Sequence, residues 1–274
     1  MNTSKTPTPM KIKTPCKLLT CGAAFVLSSI AYETSADVII FQNGSSPTAG
    51  YSGNDVARLE ERAPIGNFGD ATEGLVGTLG TADSIFHTVL SFDLSDIPAG
   101  ATINSVTLGV YETTDAGSAS SAVQFNLHEL TQSFVESEVS WDNYSTGNAW
   151  TTPGGDYDST ILSSLTVNPN TTSGMQTFAT SSDFVTIVQS ALDGSQTLNL
   201  LLKLNDTDEA GSSRYLFRFR TDNFGTAADR PMLTIDYTAI PEPASTAFLV
   251  MGGIGLFALR RRLGRREPST VECA

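Results

Sequence analysis

Between Asp37 and Ile240 the chain has no cysteine; its three, Cys16, Cys21 and Cys273, lie in the terminal segments. The central segment therefore forms no disulfide and offers no thiolate nucleophile and no cysteine-ligated metal. Histidine is nearly as scarce. His87 and His128 are the whole supply, and both fall in runs that read as strands. A catalytic zinc site or a Ser–His dyad has little to draw on, and no Gly-x-Ser-x-Gly turn occurs there. Bases are few as well: 16 Lys and Arg oppose 29 Asp and Glu, for a formal net charge of −13. That balance argues against a nucleic-acid partner, which is gripped by a basic face.

The scarce bases are unevenly placed. Residues 1–36 hold four Lys and one Glu, and residues 241–274 hold five Arg and three Glu. The remaining stretch keeps 7 bases against 25 acids, about −18. Basic, apolar ends around an acidic middle are the pattern of an exported protein with a sorting signal at each terminus.

At the N-terminus, Lys5, Lys11, Lys13 and Lys17 precede an uncharged run from Leu18 to Ala31, and Thr34-Ser35-Ala36 has the small-x-small form that signal peptidase accepts. This predicts a secretory signal over 1–36, cut between Ala36 and Asp37. The alternative, a membrane anchor, needs about 18–20 apolar residues, more than this run supplies. At the C-terminus, Pro241-Glu242-Pro243 is followed by an uncharged Ala244–Leu259 and then Arg260-Arg261-Arg262. These three parts resemble the PEP-CTERM sorting signal of Gram-negative bacteria. The resemblance implies a transmembrane helix over 244–259 with a cytoplasmic Arg-rich tail, cleavage by an exosortase, and a host that makes an extracellular polysaccharide matrix.

The middle, 37–240, reads as one all-β domain. Runs rich in β-branched and aromatic residues alternate with Gly, Asn, Asp, Ser and Pro clusters. Strands are predicted at Asp37–Phe41, Ile85–Leu94, Thr102–Tyr111, Ala122–Thr131, Ile161–Val167, Thr197–Asn205, Ser213–Arg220 and Met232–Tyr237. In Thr102–Tyr111, Ile103, Ser105, Thr107, Gly109 and Tyr111 face one way and Val106, Leu108 and Val110 the other. In Ser213–Arg220, Tyr215, Phe217 and Phe219 oppose Arg214, Leu216, Arg218 and Arg220. Period two with one wet face marks antiparallel sheet, and many such strands predict a β-sandwich or jelly roll. Phe184, Ile187, Val188, Ala191 and Leu192 recur at helical spacing instead, between a Ser181 or Ser182 cap and Gly194, and predict one short helix.

Several stretches, taken in order, resemble the DNRLRE domain, similar to a family of carbohydrate-binding modules that includes alginate binders. They are Asn67-Phe68-Gly69, Leu90-Ser91-Phe92-Asp93-Leu94-Ser95, Ile97-Pro98-Ala99-Gly100-Ala101-Thr102-Ile103, Val106-Thr107-Leu108, Phe134 to Trp141, Trp150 to Asp158 and Arg230 to Tyr237. The resemblance implies a jelly-roll module of bacterial extracellular proteins. It does not extend to alginate as ligand: a surface near −18 repels a polyanion unless bases cluster locally or Ca²⁺ bridges the two.

Candidate sites follow from chemistry. Tyr51, Tyr144, Trp150 and Tyr157 fall in predicted loops, where aromatic faces stack on pyranose rings; for Trp150 a buried loop plug is an equal reading. Calcium takes six to eight oxygens, and two loops are rich in them: Asp156 and Asp158 in one, Asp206, Asp208 and Glu209 in the other. Their alternative role is as solvated acidic turns. No catalytic residue is assigned, since 25 carboxylates make any pair uninformative. The expected function is non-catalytic binding of extracellular polysaccharide at the cell surface or in a matrix. Partners during export are signal peptidase, exosortase and the inner membrane. The alternatives are a structural or adhesive protein that binds other proteins, and a polysaccharide-degrading enzyme.

Overall fold

The computed structural model describes residues 36–113, 122–167 and 173–240. The predicted signal segment up to Ser35 and the sorting segment, with Pro241, Glu242, Pro243, Arg260, Arg261 and Arg262, lie outside the described residues. Among those described, no helix is long and apolar enough to cross a membrane.

Thirteen strands and two helices follow in chain order: β1 (Ala36–Phe41), β2 (Asn54–Glu60), β3 (Glu73–Thr78), β4 (Ile85–Asp93), β5 (Thr102–Glu112), β6 (Val123–Glu129), β7 (Asn143–Ser145), β8 (Asn148–Ala149), β9 (Ser163–Val167), β10 (Gly174–Phe178), α1 (Ser182–Asp193), β11 (Thr197–Leu204), α2 (Asp206–Glu209), β12 (Tyr215–Arg220) and β13 (Met232–Thr238). Every pairing is antiparallel. One layer runs β1–β13–β5–β10 and the other β2–β4–β11–β6–β9, while the β3–β12 ribbon joins them through short contacts with β4 and β5. The architecture is all-β and sandwich-like.

The main core lies between these layers. Phe41, Val106, Leu108, Phe178, Leu233 and Ile235 come from one side, and Val56, Leu90, Phe92, Phe125, Leu127, Leu200 and Leu202 from the other. Helix α1 closes it with Phe184, Val188 and Leu192. Its N-cap is Ser181, whose hydroxyl accepts from the Phe184 N–H at 3.0 Å, and Gly194 ends it, as the sequence predicts. In β5 the predicted alternation breaks. A register shift opposite Asp236 and Tyr237 inserts one extra residue, so Ile103 joins Val106 in the core. A bulge turns a wet-face position inward.

A second apolar cluster covers the outer face of the β2–β4–β11 layer. Ala57, Leu59, Val89 and Leu201 meet Leu130, Val139, Trp141 and Trp150 from the segment between β6 and β9. This layer is thus buried on both faces, and β2 shows no period-two signal because Val56 and Ala57 both face apolar neighbours. Ala36 pairs with Thr238, so the predicted signal-cleavage point and the residues just before Pro241 stand side by side.

Candidate functional site

The fold brings the two acidic loops together, but around a lysine. Lys203 projects from the outer face of β11 with only 4% of its side chain exposed. Its Nζ bonds Asp206 Oδ1, lies 3.3 Å from Glu209 Oε1 and donates to the Tyr157 hydroxyl at 3.2 Å. His87 of β4 completes the join: Nε2 is 3.1 Å from Glu209 Oε2, and Nδ1 is 2.7 Å from the Gly154 carbonyl. Burial alone would lower the Lys203 ammonium, but Asp206, Glu209 and Tyr157 outweigh it and raise it. Burial likewise works to raise the Glu209 carboxyl, yet His87 and Lys203 hold it below its ordinary range. Lys203 also keeps Asp206 low. His128, burying against Tyr157 at 5.0 Å between rings, is lowered by that burial and by the nearby lysine.

The expected calcium ligands therefore do not converge. Asp206 and Glu209 are neutralised by a protein cation. Asp156 accepts the Thr151 and Thr152 N–H groups at 2.8 Å each, Asp158 accepts from Thr160 N–H at 2.8 Å, and Asp208 accepts from Asn205 Nδ2 at 2.6 Å. Among the described residues, no three His, Cys, Asp or Glu side chains are grouped to hold a metal ion. These carboxylates cap turns and anchor Lys203.

Of the four aromatics expected to stack on sugar, Tyr144, Trp150 and Tyr157 gather at the second apolar cluster, while Tyr51 packs on the main core. Trp150 is 4% exposed, and its Nε1 donates to the Ser140 carbonyl at 2.9 Å. It is a loop plug and not a platform, because the second core needs a large apolar group there. Tyr144 meets it edge-on at 5.6 Å. Tyr157 is half-buried against Lys203 and His128. Tyr51 packs on Phe41 at 5.5 Å and donates its hydroxyl to the Asp93 carbonyl at 3.1 Å.

A different constellation emerges where β2 faces the β3–β12 ribbon. Glu60 sits between Arg58 and Arg62, with Oε1 and Oε2 at 2.7 and 2.8 Å from their Nε atoms. Glu73 sits between Arg220 at 3.3 Å and Arg218 at 3.8 Å; Glu73 and Arg220 are cross-strand partners. The two Arg–Glu–Arg triads adjoin: Arg58 stands opposite Thr88, whose hydroxyl donates at 3.0 Å to the carbonyl of Leu75, the cross-strand partner of Arg218; burial lowers the pKa of the Arg58 guanidinium. Phe68 lies 4.7 Å under the Arg58 guanidinium and Phe224 3.9 Å under that of Arg220. Leu75, Phe86 and Leu216 form an apolar cluster on the same face, and this arginine-lined strip is the arginine groove. The Arg side chains are 20% to 54% exposed.

Each guanidinium carries five N–H donors in a planar fork. Two carboxylates cannot engage four such forks, so donor capacity remains for a carboxylate or sulfate. The domain's overall acidity does not cancel this, because charge beyond about 8–10 Å is screened at physiological salt. Four of the seven bases of the domain gather here. The visible signal was the alternation of Arg218 and Arg220 with Phe217 and Phe219; that Arg58 and Arg62 join them follows only from the fold.

No protein-family model matches the chain, and no curated protein matches it.

Proposed function

We propose that this chain is an exported, exosortase-processed surface or matrix protein. Its central β-jelly-roll module binds extracellular polysaccharide without catalysis. The arginine groove holds the acidic groups of the glycan. The observation that carries this reading is the meeting of Arg58, Arg62, Arg218 and Arg220 with two stacked phenylalanines in a domain otherwise poor in bases. Guanidinium forks on aromatic rings are fixed in place before a ligand arrives, which lowers the ordering cost of binding. The ordered motifs that resemble DNRLRE modules, the predicted signal segment and the Pro-Glu-Pro segment with its basic stop support the exported, carbohydrate-binding part. Ala36 and Thr238 are paired, an arrangement compatible with trimming of both ends at one edge of the domain.

The test is a glycan array probed with the full-length chain in mild detergent, with and without Ca²⁺. Retention on uronate- or sulfate-bearing polysaccharides in either condition is the expected result. Absence of binding to any polysaccharide would overturn the proposal. Processing is checked separately, by loss of the mature form in a host lacking exosortase.

A further inference from the structure

Beside the arginine groove stands a group of carboxylates with the opposite problem. Asp55 lies in β2, Asp70 in the β2–β3 loop, Glu136 between β6 and β7, and Asp222 just after β12. Among the described residues, none of the four is ion-paired to Lys or Arg. Asp222 is only 8% exposed. The cation facing them, Arg230, directs its donors to the Phe224 and Asn43 carbonyls at 2.8 and 3.0 Å.

Three loops close around this group. Asn67 Nδ2 donates to the Glu136 and Val139 carbonyls at 2.7 and 2.8 Å. Asn223 Nδ2 donates to the Gly69 carbonyl at 2.9 Å and reaches Glu136 Oε1 at 3.4 Å, where the Val56 N–H also arrives at 3.4 Å. Gly69 is pressed so closely on this turn that a Cβ there would clash with the Glu136 backbone carbonyl. Phe68 and Phe224, the rings under Arg58 and Arg220, belong to these same loops.

We infer that the Asp55–Glu136–Asp222 group is a pH-sensitive latch that fixes Phe68 and Phe224 in the arginine groove and so regulates its hold on a polyanion. The part concerning the ligand rests on the proposed function of the groove; the latch itself does not. With the latch protonated, the loops close over a neutral centre. Ionised, the carboxylates repel one another, loosen the two phenylalanines and set negative charge beside the arginines. Both effects weaken anion binding as pH rises.

Burial raises all three groups, helped for Glu136 and Asp222 by neighbouring carboxylates and opposed for Asp55 by a Ser91 hydrogen bond; Asp222 reaches about 8. A raised carboxyl stabilises the closed form fully below its ordinary value, near 3.8 for Asp, and that stabilisation is lost as pH rises to the folded value. For Asp222 the loss spans pH 4 to about 8. His128, which is lowered, acts in the opposite sense only below about 6.5. Between pH 6.5 and 8 the Asp222 carboxyl therefore carries a slope that His128 does not oppose; Glu129, also raised by burial, shares its sign and is told apart by the Asp222→Asn variant.

The experiment measures thermal unfolding of the full-length chain, and its affinity for polygalacturonate, at intervals across that window. The probe's own carboxylates stay ionised throughout. The melting temperature is expected to fall with pH, with a folding equilibrium changing by up to about tenfold per unit, and binding is expected to weaken several-fold. Asp222→Asn should flatten both profiles, and Glu136→Gln serves the same purpose should the first variant not fold. A melting temperature unchanged between pH 6.5 and 8, or a slope unaltered in a folded variant, overturns the latch. Absence of polygalacturonate binding with the thermal slope intact overturns the link to the groove and leaves the latch standing.

Discussion

Lys203 Nζ stands 3.3 Å from Glu209 Oε1, and this pair fastens a loop of the β11–β12 connection to the outer face of the sheet. A buried charge that loses its partner is costly. Lys203→Met should destabilise the domain by about 3–5 kcal/mol, because Glu209 stays buried with His87 alone. The double variant Lys203→Met with Glu209→Met should regain most of that loss. Urea unfolding of the full-length chain and the two variants measures both.

The same node predicts an acid limb. Glu209 and Asp206 are held below their ordinary values, so the stability they contribute is complete above about pH 4.5 and is lost as pH falls through their folded values. Melting temperature should drop steeply on acidification below that point. In Lys203→Met the drop should be shallower, since the cation that lowers both carboxyls is gone.

Calcium should leave the melting temperature within about a degree of its value in chelator. Asp206 and Glu209 already face an ammonium, and Asp156, Asp158 and Asp208 are bonded within their own turns. A bound ion stabilises a native state in proportion to its affinity, so differential scanning calorimetry with millimolar Ca²⁺ reads this directly.

Trp150→Ala separates plug from platform. Emptying a buried tryptophan site costs about 3–5 kcal/mol and also frees the Ser140 carbonyl. The expected result is a large fall in melting temperature, while the residual folded protein retains its affinity for polysaccharide.

Much of the fold was legible because local and tertiary signals agree. The Ser181 cap, the helical spacing of Phe184, Val188 and Leu192, and Gly194 define α1 without help from packing. Phe217 and Phe219 alternate with Arg218 and Arg220 because the ribbon has one core face and one groove face. β2 and β3 were hidden. Ala57 and Leu59 face a second core that no local pattern announces, and β3 carries Gly74 and Gly77, which read as turn residues. Gly74 is required because the tip of the Phe219 ring presses on it, with a Cβ there only 2.5 Å from the ring, and Gly77 because its φ is +126°. The surroundings of the expected site residues were hidden for a related reason. Loop composition identified acidic and aromatic residues but not the neighbours that occupy them, Lys203 for the carboxylates and the second core for Trp150. Conversely, Arg58 and Arg62 lie far along the chain from Arg218 and Arg220, so only sheet topology makes them one surface.

The most direct test of the account is the affinity of the full-length chain for polygalacturonate and dextran sulfate at pH 6.5, at low and physiological salt, compared with Arg58→Ala, Arg218→Ala and Arg220→Ala. A salt-sensitive interaction is expected, weakened about tenfold or more by each substitution, as when an ion-paired hydrogen bond is lost, with neutral glycans unaffected. Equal affinity in wild type and all three variants, or binding confined to neutral glycans, would contradict it.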